Sequence, residues 1–324
     1  MLGYNMKKIP FIITIDTEGD NLWAKPNVIE TKNVMGLYRF QDLCNRYGFK
    51  PVYLTNYEMA MDEKFVEFGN HFARKNQCEI GMHLHAWNSP PDYDLTGNDF
   101  LQQPFLCEYP REIIESKVSF MTDLLRSRFS TSIVSHRAGR WAMNADYYAA
   151  LGKNGYLVDC SVTPGVNWSK VKGALAGKGG SNYYSFKHNY YMVPNDSGND
   201  VLEVPMTIYG NPRFSYYPFL KKCQYRLPSL LHRFLFKNIW LRPAKGNLDA
   251  MKALVNESIS RKCEYLEFMI HSSELSSGLN PNFPTDKDIE QLYFDMDSLF
   301  EFVSSMAEGM TLADFYKGVQ GKIK

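Results

Sequence analysis

The stretch GMHLHAW, residues 81–87, sets two of the chain's seven histidines one residue apart. It lies between an apolar run, CEIGM, and a proline-rich turn, NSPP, and reads as the end of a strand. Residues i and i+2 of a strand project from one side, so His83 and His85 point together, and two imidazoles held that close suit a metal ion. The plain alternative is one hydrogen-bonded, half-buried histidine beside an exposed one. Other reactive side chains fall in comparable places: Asp16 and Glu18 in TIDTEGD, His136 and Arg137 in SHRAGRW, Asp159 in VDCS, and His271 in IHSSEL.

Each of these groups follows a short apolar run. Strands are expected at residues 10–15, 50–55, 78–83, 132–136, 156–161, 201–206 and 265–270, separated by amphipathic stretches at 32–47, 58–75, 110–128, 144–154 and 248–262. A last helix is expected from Thr285, where T-D-K-D has the form of a capping box. Strands alternating with helices predict a parallel sheet, and seven of them predict one barrel-like α/β domain over residues 1–324. In such barrels the C-terminal ends of the strands carry the active site. Side chains some 250 positions apart can therefore converge.

Composition narrows the class. A chain of 324 residues with 44% hydrophobic content can bury a large core, and a formal net charge of +1 gives no reason for a nucleic-acid partner. The six cysteines form no CxxC pair and read as free thiols. The N-terminal apolar run is too short for a secretory leader and no uninterrupted apolar stretch approaches 18 residues, so a soluble protein of the cytoplasm is expected.

TIDTEGD, EIGMHLHAW, HRAGRW, DCSVTPG and IHSSEL, in that order from about residue 10 to 275, resemble the motifs of the polysaccharide deacetylase family, the NodB-homology carbohydrate esterases of the family 4 kind. The likeness is closest to a branch with HLHxW and HSSEL motifs. It implies a deformed (β/α)7 barrel, TIM-barrel-like, and a divalent metal, zinc with cobalt or nickel as substitutes. The implied activity is hydrolysis of an N-acetyl or O-acetyl group from a sugar. That chemistry needs an activated water, stabilisation of an oxyanion and a proton for the leaving group, and two imidazoles with one carboxylate leave a metal an open position for it.

The resemblance makes Asp16 the general base and His271 the general acid. Thr17 stands where the family usually has a second Asp, so the carboxylate ligand falls to Glu18, whose other reading is a cap on the following turn. His83 matches the first metal histidine, whereas Trp87 occupies the usual place of the second, so His85 substitutes. Arg137 takes the position of the arginine that orients the base, expected here as a bidentate contact; its other reading is a surface salt bridge. Gly139 and Trp141 form a turn that floors the sugar pocket. Glu274 and Asp159 are alternative partners for the His271 ring. His136 reads as a core histidine, and His71, His188 and His232 receive no role.

Two insertions interrupt the barrel pattern, at about 162–200 and 207–247. Residues 213–246 contain no Asp or Glu, and Leu230, Leu231, Phe234 and Leu235 recur at helical spacing among Arg226, Arg233 and Lys237. Such a basic amphipathic helix either rests on the inner face of a membrane or packs over the barrel. The substrate expected is an acetylated oligosaccharide or a nucleotide-linked or lipid-linked glycan. Competing readings are hydrolysis of another C–N bond, as in allantoinase-like relatives, and an inactive homologue that binds carbohydrate through Trp87, Trp141 and Trp168. A pure binding module needs no base, orienting arginine and acid together, and Asp16, Arg137 and His271 are all present.

Overall fold

The computed structural model describes residues 8–174, 177, 179–210 and 238–322. The amphipathic segment 227–237 therefore lies outside the described residues, as do Cys223 and His232. Among the described residues eleven strands occur. β1 (Ile9–Thr17), β2 (Pro51–Thr55), β3 (Glu79–Leu84), β4 (Ser135–Ala138) and β5 (Val158–Asp159) come first. They are followed by β6 (Tyr191–Val193), β7 (Val201–Glu203), β8 (Ile208–Gly210), β9 (Asn238–Trp240), β10 (Leu266–His271) and β11 (Ala307–Met310).

All seven expected strands are present. They lie in the order β10-β1-β2-β3-β4-β5-β7, every neighbouring pair parallel, and β11 also pairs with β1. Seven consecutive residues of β1 and the whole of β2 and β3 are buried. This is the pattern of parallel strands covered on both faces, which explains their unbroken apolar runs. The helices between them bury one stripe each. In Glu63–Arg74 that stripe is Phe65, Val66, Phe68, Gly69 and Phe72, and the helix starts where the Asp62 carboxylate accepts the Phe65 N–H at 3.0 Å. Thr285 and Asp288 form the capping box ahead of Asp286–Ser304.

The sheet curls into an incomplete barrel. β7 and β10 make no ladder with each other; isolated bonds span the gap, from Glu267 N–H to Thr207 Oγ1 at 2.8 Å, Leu241 N–H to Thr207 O at 3.0 Å and Met269 N–H to Leu241 O at 3.1 Å. The first insertion contributes β6, antiparallel on β7, and an isolated bridge between Asn167 and Asn182. The described ends of the second form the antiparallel pair β8–β9. No helix among the described residues is long and apolar enough to cross a membrane.

Candidate active site

The parallel register sets the site. Asp16, next to last in β1, stands opposite His271 at the end of β10, and His83 of β3 stands opposite Arg137 of β4. Extending β1 by one residue reaches Glu18, two positions after Asp16 and so on the side Asp16 faces.

Glu18, His83 and His85 are buried and converge. The Glu18 Oε2 lies 3.1 Å from His85 Nε2 and 3.5 Å from His83 Nε2, and the two imidazole nitrogens are 2.9 Å apart. One donor atom from each residue falls within 4.8 Å of the others. The His83 Nδ1 sits 3.0 Å from the Arg137 carbonyl, which assigns the proton to Nδ1 and turns the Nε2 lone pair toward the cluster. His85 Nδ1 is buried with no hydrogen-bond partner among the described residues. Glu18 does not cap the following turn; it is the backbone N–H and carbonyl of Glu18 that bond Ser272, while the carboxylate faces the imidazoles. Burial acts to raise the Glu18 pKa, but His271, His83 and His85 hold it well below the usual range. Burial lowers that of His85, whereas in His83 the carboxylates of Asp16 and Glu18 overcome burial and raise it. Two imidazoles and a carboxylate whose pKa is held down, all in one buried pocket, form a donor set that fits a divalent metal ion.

Asp16 stays outside this donor set, its Oδ2 3.9 Å from His83 Nε2. Its other oxygen accepts from Arg137 Nη1 at 2.7 Å. Burial would raise the Asp16 pKa; Arg137, His83 and His271 outweigh it and keep the carboxylate below its ordinary value. The Arg137 contact is single rather than the expected bidentate fork, because Nη2 is taken by Glu267 and by Thr14 Oγ1 at 2.8 Å. One buried guanidinium thus serves two carboxylates, and burial pushes Glu267 up to about 7 against the pull of Arg137. Nor is Arg137 a surface residue: it is fully buried and lies under the Trp141 ring at 4.9 Å.

His271 faces both carboxylates across the floor, its Nε2 3.7 Å from Asp16 Oδ2 and 3.8 Å from Glu18 Oε1. Glu274 holds the residue from behind, accepting the His271 backbone N–H at 3.0 Å and lying 3.3 Å from Nδ1. Asp159 does not: it pairs with His136 Nδ1 at 2.7 Å and accepts from Ser161, remote from β10 in the strand order. His136, bonded at its other nitrogen to the Tyr147 hydroxyl, is a satisfied core histidine.

Above the floor opens a cavity of 440 Å³ walled by Trp23, Trp87, Trp141 and Trp168. Sequence reasoning missed three parts of this site. Arg242 reaches from the second insertion to His271 Nδ1 at 2.9 Å and Glu274 Oε1 at 3.0 Å. Trp23, 44% exposed, sets its ring against that of His271 with centroids 4.9 Å apart. Glu267 had a visible signal, a lone carboxylate inside the apolar run YLEFMI.

No family model and no curated protein sequence matches the chain. Solved structures do. One from Mycobacterium smegmatis, assigned as a polysaccharide deacetylase, aligns over 98% of this chain and 93% of its own, at 11% identity and a TM-score of 0.55. The 4-alpha-glucanotransferase from Thermococcus litoralis aligns over 97% of this chain at 12% identity and a TM-score of 0.53, and the match spans only 40% of that enzyme. The fold of this chain is the deformed (β/α) barrel of the polysaccharide deacetylases.

Proposed function

We propose that the protein is a metal-dependent hydrolase that removes an N-acetyl or O-acetyl group from a sugar in a glycan or glycan precursor. The observation that carries this reading is the pairing of Asp16 with His271, 3.7 Å apart, beside the Glu18, His83 and His85 donor set at the floor of one cavity. Those three residues would hold the divalent ion, zinc or in its place cobalt or nickel. A cation there supplies Lewis acidity, drawing electrons from an acyl oxygen and making nearby water more acidic. Asp16, kept ionised by Arg137, takes the proton of the attacking water. His271, oriented by Glu274, delivers a proton from Nε2 to the departing nitrogen or oxygen. The tryptophan walls supply stacking faces for sugar rings.

The substrate class follows as an acetylated oligosaccharide or a nucleotide-linked or lipid-linked glycan. Free thiols at Cys44, Cys78, Cys107, Cys160 and Cys263 support a reducing, cytoplasmic setting. The test is metal analysis of the purified protein with an acetate-release assay on N-acetylated sugars. One metal per chain and acetate release abolished by chelation are expected. No release with zinc, cobalt and nickel each supplied would overturn the reading and leave carbohydrate binding without turnover.

A further inference from the structure

We propose that the saccharide taken by this pocket carries an anionic group, a carboxylate or a phosphate, and that Arg140 and Arg242 bind it. The inference rests on the deacetylase reading for the ligand's being a saccharide, but not for its charge.

The other charges of the pocket have partners. Asp16 is paired with Arg137, and Glu18 faces His83 and His85. Arg140, which lines the same cavity, has no carboxylate within ion-pairing distance among the described residues. Its terminal nitrogens donate to two backbone carbonyls, of Gln103 and of Lys172 at 3.1 Å, and its guanidinium lies 4.0 Å over the Phe105 ring. Glu108 is nearby but turns its carboxylate to the N–H groups of Phe105, at 2.8 Å, and Ala174, at 3.0 Å. The backbone that presents Arg140 is strained, with φ of 56° there and 66° at Trp141, values that side-chain-bearing residues adopt rarely and that recur at ligand-binding sites.

Arg242 is a second cation on the cavity wall, half-buried, and among the described residues its side chain makes its hydrogen bonds through a single nitrogen. Nη2 makes both of its contacts, to His271 and Glu274, so Nη1 and Nε have no acceptor among the described residues. A guanidinium edge left open in this way matches a carboxylate or phosphate, whose oxygens accept two parallel N–H bonds. Asp16 and Glu18 at the floor are already countered by Arg137 and the two imidazoles, whereas both arginines stand on the cavity lining, so the anionic group is placed there. A neutral sugar offers hydroxyl acceptors but not the countercharge that half-buried Arg140 lacks among the described residues.

Four tryptophans line the cavity, so quenching of their fluorescence reads binding without turnover. Two matched pairs serve as probes: N-acetylglucosamine against its 6-phosphate, and a glucose oligosaccharide against the corresponding glucuronate. At least one anionic member should bind tenfold or more tightly than its neutral partner, with the ratio shrinking as sodium chloride rises. The pair that discriminates identifies phosphate or carboxylate. Arg140→Gln and Arg242→Gln should each bring the ratio toward one, and the Lys variants should keep part of it. Equal affinity within both pairs for the wild type, or no binding of any probe, overturns the proposal and needs no variant to fold. Acetate release is followed in parallel. Selective binding of the anionic sugar without release removes the deacetylase reading and leaves this one standing; release with no anionic preference does the reverse.

Discussion

Asp16 and His271 are register partners on adjacent parallel strands, and their side chains meet with Oδ2 and Nε2 3.7 Å apart. Backbone hydrogen bonds along β1 and β10 fix that separation, so a carboxylate and an imidazole are held on rigid elements rather than on loops. Replacing Asp16 by Asn keeps the shape, removes the acceptor and leaves Glu18, His83 and His85 intact. Turnover should fall by about 10²–10⁴-fold, the usual contribution of a positioned base, with metal content unchanged. Activity at the wild-type level would move the base elsewhere, Glu18 being the next carboxylate in reach.

The metal assignment is tested at its two histidines. His83→Ala or His85→Ala should abolish stoichiometric binding of zinc, cobalt or nickel while circular dichroism shows the fold intact. Full retention of metal in the double variant would remove Glu18, His83 and His85 from the role.

Gly139 bears on the same site through space rather than charge. A Cβ added there would lie 2.7 Å from the Leu84 carbonyl oxygen and 2.9 Å from His85 Nδ1, closer than such contacts normally come. Relief needs a shift between the Gly139 backbone and the Leu84 carbonyl as well as of the imidazole, so the His85 ring is displaced. Gly139→Ala should weaken zinc affinity by about ten- to a hundredfold, the range seen when the support of a ligand is disturbed. Competition with a chromophoric chelator measures it; an affinity equal to wild type would show that the His85 ring has room to spare.

The parallel strands and the strand-end side chains were legible because both signals are local: a doubly covered strand is an apolar run, and its last polar residue faces the site. Partnerships set by strand order were not. Asp159 and Glu274 were equal candidates for the His271 ring, yet Asp159 lies on β5, opposite His136 of β4, whereas Glu274 follows His271 by three residues and folds back onto it. Closure between β7 and β10 rests on Thr207 and Leu241, single residues with no periodicity to announce them. Arg242 is one cation in a basic insertion, and only its position in space picks it out.

Glu267 predicts a pH dependence of stability. Burial and the Asp16 charge raise its pKa from an ordinary 4.5 to about 7 although Arg137 opposes them. The folded chain therefore keeps a proton that the unfolded chain has released. Stability from this residue is full below about pH 4.5 and is lost as pH rises through about 7, by about 3 kcal/mol for a shift of this size. Glu267→Gln has no proton to lose. Urea unfolding of both proteins across that window should show the wild type losing stability relative to the variant as pH rises; a constant difference would show that Arg137 keeps Glu267 ionised throughout.

His271 separates an enzyme from a binding protein. A proton donor matters most when the leaving group is a poor one: an amine cannot depart as its anion, whereas an activated phenolate can. The geometry directs Nε2 at the floor, 3.7 Å from Asp16 Oδ2 and 3.8 Å from Glu18 Oε1, and leaves Nδ1 to Glu274 and Arg242, so removing the ring deletes the proposed donor while the Glu18, His83 and His85 side chains themselves remain. His271→Ala should lower hydrolysis of an N-acetyl sugar by about a hundredfold or more, and hydrolysis of an acetyl ester with a phenolate leaving group far less. Loss of metal or of fold would depress both rates alike, so metal content and melting temperature are measured on the same sample. Equal losses with both intact would mean that the leaving-group proton comes from another group.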